Sequence, residues 1–210
     1  MFVKWIEATV AAGHRPAFSR AQSQWSAIAS TPGLVGQVGG WSGDVACVLS
    51  LWSDSDSYES FMTDVHDVIT EASDQGATYS HLRVRLFLSR FPMPGSRNSF
   101  GAGLTEATFL RVADCVVAPE RVRHFESAQQ TIWRPAMATA AGMLAGIFSV
   151  GRADSNSFLV TTLWSNEESH ARYVSDDVPR LRDLADAGAD MMSITGHAFV
   201  LEPSWTVVPR

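Results

Sequence analysis

Lysine is almost absent from this 210-residue chain: Lys4 stands alone among sixteen basic residues, the rest being arginine. Twenty-two Asp and Glu outnumber them, for a net charge of −6. No basic run is present, which excludes a surface built to neutralise nucleic-acid phosphates. Cysteine is scarce too. Cys47 and Cys115 sit in apolar stretches, too few for a disulfide framework or a metal cluster. No apolar run approaches the ~20 residues that a membrane span requires. The opening MFVKWIEATV lacks the basic region, apolar core and cleavage site of a leader, so a cytoplasmic protein is expected. The histidines (14, 66, 81, 124, 170, 197) are scattered, without the i, i+4 pairing of a zinc helix, so no metal is expected. No serine sits in a nucleophile elbow. GQVGG (36–40) lacks the Lys-Ser/Thr of a phosphate loop.

What the chain has is a repeat. WSDSDSYESF at 52–61 returns as WSNEESHARY at 164–173. The first half alternates apolar and polar residues over 2–10. It carries a helical stripe of Phe18, Ala21, Trp25 and Ile28, then a Thr31-Pro32-Gly33 breaker. Two apolar strands flank Ser42-Gly43-Asp44, and SDSDS offers caps to a second helix bearing Tyr58, Phe61, Met62, Val65 and Ile69. HLRVRLFLS (81–89) closes the set as a strand. The pattern recurs after FPMPGSRNSFGAGL, so Lys4 corresponds to Arg111, Glu7 to Asp114, Phe18 to Phe125, Trp25 to Trp133 and Trp52 to Trp164. The expected fold is α+β: two tandem ferredoxin-like βαββαβ repeats, 1–90 and 105–210, joined by a linker at 91–104. Strands apolar on both sides imply that the two sheets pair face to face as an intramolecular α+β barrel of the kind otherwise made by dimers.

Lys4-Trp5-Ile6, Phe18, Ala21-Gln22, Trp25, GQVGGW (36–41), Trp52, Ser57-Tyr58, Phe61-Met62 and Val65-His66-Asp67 resemble the YdbC-like family, a domain of unknown function, over about residues 1–90. Both halves resemble the dimeric α+β barrel superfamily, best known for antibiotic-biosynthesis monooxygenase domains. That resemblance implies a Trp ending the third strand and a His about fourteen positions on, matched by Trp52 and His66. A further His expected nine positions after the Trp is replaced by Phe61, and the early-strand Asn is missing. Haem-degrading relatives would place a ligand near Glu71, where none stands. The chlorite-dismutase-like haem families would use the second half, at His170 or His197.

His66 has no counterpart in the second half, where Val178 stands. It is the candidate general base. Glu7 is a second candidate base, or the partner of Arg83 or Arg85 on a neighbouring strand. Trp5 and Trp41 lack matching tryptophans and are candidate pocket walls with Trp52, Phe61 and Met62, while Gln37 would orient polar substituents. The asymmetry suggests that the first half keeps a site while the second is scaffold. The function expected is a small oxygenase or oxidase of an aromatic, polyketide-like molecule, working without cofactor. Two alternatives stand beside it: a non-enzymatic ligand-binding or assembly barrel, and a haem enzyme. Two chains could also pair as a homodimer.

Overall fold

The computed structural model describes residues 1–210. The chain divides into two compact units, residues 1–86 with 201–210, and residues 87–200. Each is a ferredoxin-like α+β unit. The first runs β1 (Phe2–Thr9), α1 (Arg15–Ser23), β2 (Leu34–Ser42), β3 (Val45–Trp52) and α2 (Ser55–Phe61). A π turn (Met62–His66) then leads into α3 (Asp67–Ser73) and the opening of β4 (His81–Pro94). Its strands lie in the order β2-β3-β1-β4.

The second unit contains α4 (Phe100–Leu104), β5 (Phe109–Val117), α5 (Val122–Ala128), a π turn (Gln129–Trp133), α6 (Arg134–Thr139), β6 (Met143–Gly151) and β7 (Ser157–Trp164). It ends with α7 (Glu167–Asp176), α8 (Val178–Leu184), α9 (Ala187–Asp190) and β8 (Met191–Val200). Its order is β6-β7-β5-β8, and Phe87–Pro94 of β4 pairs antiparallel along β6.

The repeat is visible in matched turn chemistry. Asp54 and Asn166 cap the helices that follow β3 and β7, each side chain accepting a 2.8 Å hydrogen bond from the backbone N–H three residues on. Gly33 and Gly142 precede β2 and β6 with φ of +77° and +82°, and a Cβ at either would strike the equivalent serine, Ser57 or Ser169. Phe18 and Phe125 are 107 positions apart but Trp25 and Trp133 are 108 apart. The additional residue is absorbed by the π turn Gln129–Trp133, whose wider i→i+5 winding accommodates an insertion.

Two expectations need correction. Residues 91–104 are not a loose linker: β4 extends to Pro94, and Phe100–Leu104 is a helix capped by Ser99. The segment bearing the helical stripe Phe18 to Ile28 is α-helical only to Ser23 and continues as a 3₁₀ segment, Gln24–Ser30. The last ten residues return to the first unit, bridging Gln37 to Val207 and Gly40 to Leu201 along β2. No helix is long and apolar enough to cross a membrane.

Candidate functional site

Strand registers decide which side chains can share a site. Lys4 and Ile6 of β1 lie opposite Ser50 and Val48, while Trp5 and Glu7 lie opposite Leu49 and Cys47. Successive side chains leave a strand on opposite faces. The helix-covered face carries Lys4, Ile6, Val48, Ser50 and Trp52, and these line a cavity of about 270 Å³. Its other walls are Phe18, Gln22, Trp25, Tyr58, Phe61 and Met62, with His66, Thr70 and Gln75. Leu82 and Val84 of β4, 41% and 44% exposed, line it too and mark where it meets solvent.

Tyr58, Met62, His66 and Thr70 all reach this cavity at four-residue spacing. The π turn Met62–His66 keeps that series on one side of the helix. Thr63 and Thr70 hydroxyls each bond a carbonyl four residues back, a habit that loosens regular helix here. The His66 ring packs 5.5 Å from Trp25 and 5.8 Å from Phe61, centroid to centroid. Its Nδ1 lies 2.9 Å from Asp67 Oδ1. With Nδ1–H donating to that carboxylate, Nε2 is the proton acceptor. Trp52 stacks on Phe61 at 4.6 Å, so a flat aromatic wall backs the cavity.

Lys4 is the charged group that sequence reasoning passed over. It is 7% exposed, and its Nζ has only Met62 Sδ, at 3.9 Å, and the Tyr58 ring, at 5.7 Å to the centroid. Burial pulls its pKa down to about 8. No carboxylate lines the cavity. Gln37, 5% exposed, also lines it, and its amide Nε2 has no hydrogen-bond partner.

His66, Gln37, Trp52, Phe61 and Met62 line this cavity together, but three other residues singled out in the sequence do not. Trp5 and Glu7 leave the sheet on the opposite face, because alternation along β1 separates them from Lys4. Glu7 pairs there with Arg83 at 3.3 Å. Trp41 shares the helix-side face with Gln37 but lies farther along β2. There it is packed by Phe18 and by Trp205 of the returning C-terminus, at 5.6 and 5.2 Å. The open space of Gly39 is taken by the same residue: a Cβ there would meet Trp205 Cε3 at 2.9 Å and Cys47 O at 2.6 Å.

The second half has a cavity of its own. Its equivalent face carries a larger cavity, about 370 Å³, lined by Arg111, Gln129, Trp133, Thr162, Trp164, His170 and Tyr173 among others. Arg111 takes the place of Lys4, Thr162 of Ser50, His170 of Tyr58 and Tyr173 of Phe61. The aromatic nest around the strand-end tryptophan repeats as well: Phe2, Trp52 and Tyr58 in one unit, Phe109, Trp164 and His170 in the other. Burial, with Arg111 adding to it, lowers the His170 pKa to about 4, so its imidazole is neutral at pH 7. Counting six and nine residues on from each tryptophan would have found both His170 and Tyr173. The register Val112↔His197 puts the His197 side chain with Val112, away from Arg111.

Comparison with known proteins places these features in context. The profile of a domain of unknown function, DUF4937, matches residues 2–87. Over 92 residues the chain is 34% identical to the uncharacterized protein YdbC of Bacillus subtilis, covering 41% of this chain and 77% of that protein. A candidate monooxygenase of Lactobacillus acidophilus has the same fold, with TM-score 0.74 and 12% identity over 99% of this chain and 95% of its own. An anthrone oxidase-like protein does too, with TM-score 0.61 and 12% identity over 96% of this chain and 91% of its own.

Proposed function

The chain belongs, through its first unit, to the YdbC-like family of domains of unknown function, and from the chemistry of that unit's cavity we propose that it oxidises a small aromatic substrate with dioxygen and no cofactor. The observation that carries this reading is the joint presence of His66 and the Lys4 ammonium in one apolar, aromatic-walled space. The fold is shared with an anthrone oxidase-like protein, which points to a phenol or its ketone tautomer as substrate class.

His66 Nε2 accepts the proton of the phenol, or of the methylene in its ketone form. Asp67 fixes the tautomer. Lys4 holds the resulting oxyanion, an interaction strengthened by exclusion of water and by the lack of any carboxylate lining the cavity. Trp52 and Phe61 flank the ring system, and the unpartnered Gln37 amide offers a hydrogen bond to a polar substituent. The electron-rich anion then reduces dioxygen. One methylene plus O₂ becomes one ketone plus H₂O: the carbon gains one oxygen atom and both its hydrogens leave in the water. The substrate supplies all the electrons, so no external reductant enters.

The test follows oxygen uptake and quinone absorbance with anthrone as probe, above the uncatalysed rate. One O₂ consumed per anthrone, with His66→Ala lowering the rate by about 10²–10⁴-fold in a folded protein, supports the proposal. Uptake unaffected by His66→Ala removes His66 from the reaction. Absence of uptake above background favours a ligand-binding role.

A further inference from the structure

The second unit's cavity carries groups that no reaction in the first unit uses. Arg111 projects from β5 into it. The guanidinium is desolvated by burial, which depresses its pKa. Asp190 lines the cavity but is already committed. Arg121 donates to it at 2.7 Å and His124 Nδ1 lies 2.8 Å away. Asp114 leaves β5 on the face opposite Arg111.

Two further polar atoms await a partner. Gln129 Oε1 and the Tyr173 hydroxyl lack hydrogen bonds, although these residues are 5% and 6% exposed. A buried polar group left unmatched is costly, so such groups are usually satisfied by a partner. Two such atoms beside the Arg111 guanidinium, around one space of about 370 Å³, mark a site built for a ligand. Tyr173 can donate and Gln129 Oε1 can accept. Trp133, Trp164 and Phe125 supply flat apolar walls, and Ile194 of β8, 54% exposed, marks an entrance. Where the first unit has His66, this one has Val178, so the cavity binds without a base at that position.

We infer that the second unit holds a separate binding site for an aromatic carboxylic acid, its carboxylate seated on Arg111 and Tyr173 and its ring between the aromatic walls. A carboxylate accepts two guanidinium N–H bonds and the phenolic O–H. A hydroxyl on the ring would donate to Gln129 Oε1.

Isothermal titration of the whole chain with 2-naphthoate tests this, with neutral 2-naphthamide as control. Saturable 2-naphthoate binding, about tenfold or more tighter than 2-naphthamide, supports the site, since a hydrogen bond to a charged group contributes about 1.5–3 kcal/mol. Arg111→Gln should weaken it by about the same factor, and Lys4→Met should leave it within about twofold. Tyr173→Phe, which keeps charge and volume, should weaken it severalfold and so tests the site even if Arg111→Gln fails to fold. Equal binding of acid and amide, loss of binding in Lys4→Met, or no effect of Tyr173→Phe would each overturn it. So would no binding at all.

Discussion

Lys4 Nζ lies 3.9 Å from Met62 Sδ, and a thioether is a weak acceptor for an ammonium that has left bulk water. A folded protein that keeps its single lysine there bears a cost in stability in exchange for a cation inside an apolar cavity.

That cost is measurable through its pH dependence. The Lys4 pKa drops from 10.5 to about 8 on folding. Below pH 8 the amine is charged in both states and the desolvation penalty acts in full, about 3 kcal/mol. Between pH 8 and 10.5 the unfolded chain still holds the proton while the folded one does not, so this penalty fades as pH rises. Lys4→Met should therefore stabilise the protein at pH 7 in urea titrations, with a gain that shrinks by pH 10. It should also slow oxidation of the aromatic probe. A gain that does not change with pH would mean that the ammonium is solvated.

Glu7 and His66 separate cleanly by mutation. Glu7→Gln removes a charge on the far side of the sheet, beside a half-exposed Arg83. Turnover should stay within about twofold and stability within about 1 kcal/mol. A loss of turnover comparable to that of His66→Ala would place the chemistry on the other face of β1.

Gly39→Ala tests whether the glycines of 36–40 serve the returning C-terminus. The new methyl would lie against backbone Cys47 O and the Trp205 ring. Overpacking of this kind costs about 1–3 kcal/mol. Thermal unfolding should shift down accordingly, and removal of residues 201–210 should shrink the difference between glycine and alanine without abolishing it, because Cys47 O stays in place. A neutral Gly39→Ala would show that Trp205 does not press on β2.

Oxidation by the proposed route draws every electron from the substrate and passes it to dioxygen. Dialysis against EDTA should leave it unchanged, and hemin should produce no saturable Soret shift. A saturating shift abolished by His170→Ala or by His197→Ala would instead assign a haem to the second unit, where both histidines line the cavity.

Much of the architecture was legible because it rests on local rules. Apolar alternation marked the strands, Asp54 and Asn166 marked the helix starts, and the second WS-initiated segment announced a repeat. Residues 91–104 misled, since two prolines and three glycines looked like a linker. Yet the backbone of 94–97 is held along β6, where a Cβ on Gly95 would meet Leu144 backbone and Ser96 and Arg97 donate to carbonyls.

The sequence by itself determined which residue types each repeat would carry, including the histidine present once. It could not say which strand face they would share. One position along β1 separates Lys4 from Trp5, and only the pairing with β3 and the placement of the helices decided that Lys4 and Ile6 would line a cavity while Trp5 and Glu7 faced away. The π turns behave similarly, since an inserted residue shifts every side chain after it without leaving a composition signal. Cavities arise where packing stops short, which depends on all the surrounding elements at once. That is why two of them, with a lysine in one and an arginine in the other, became visible only in three dimensions.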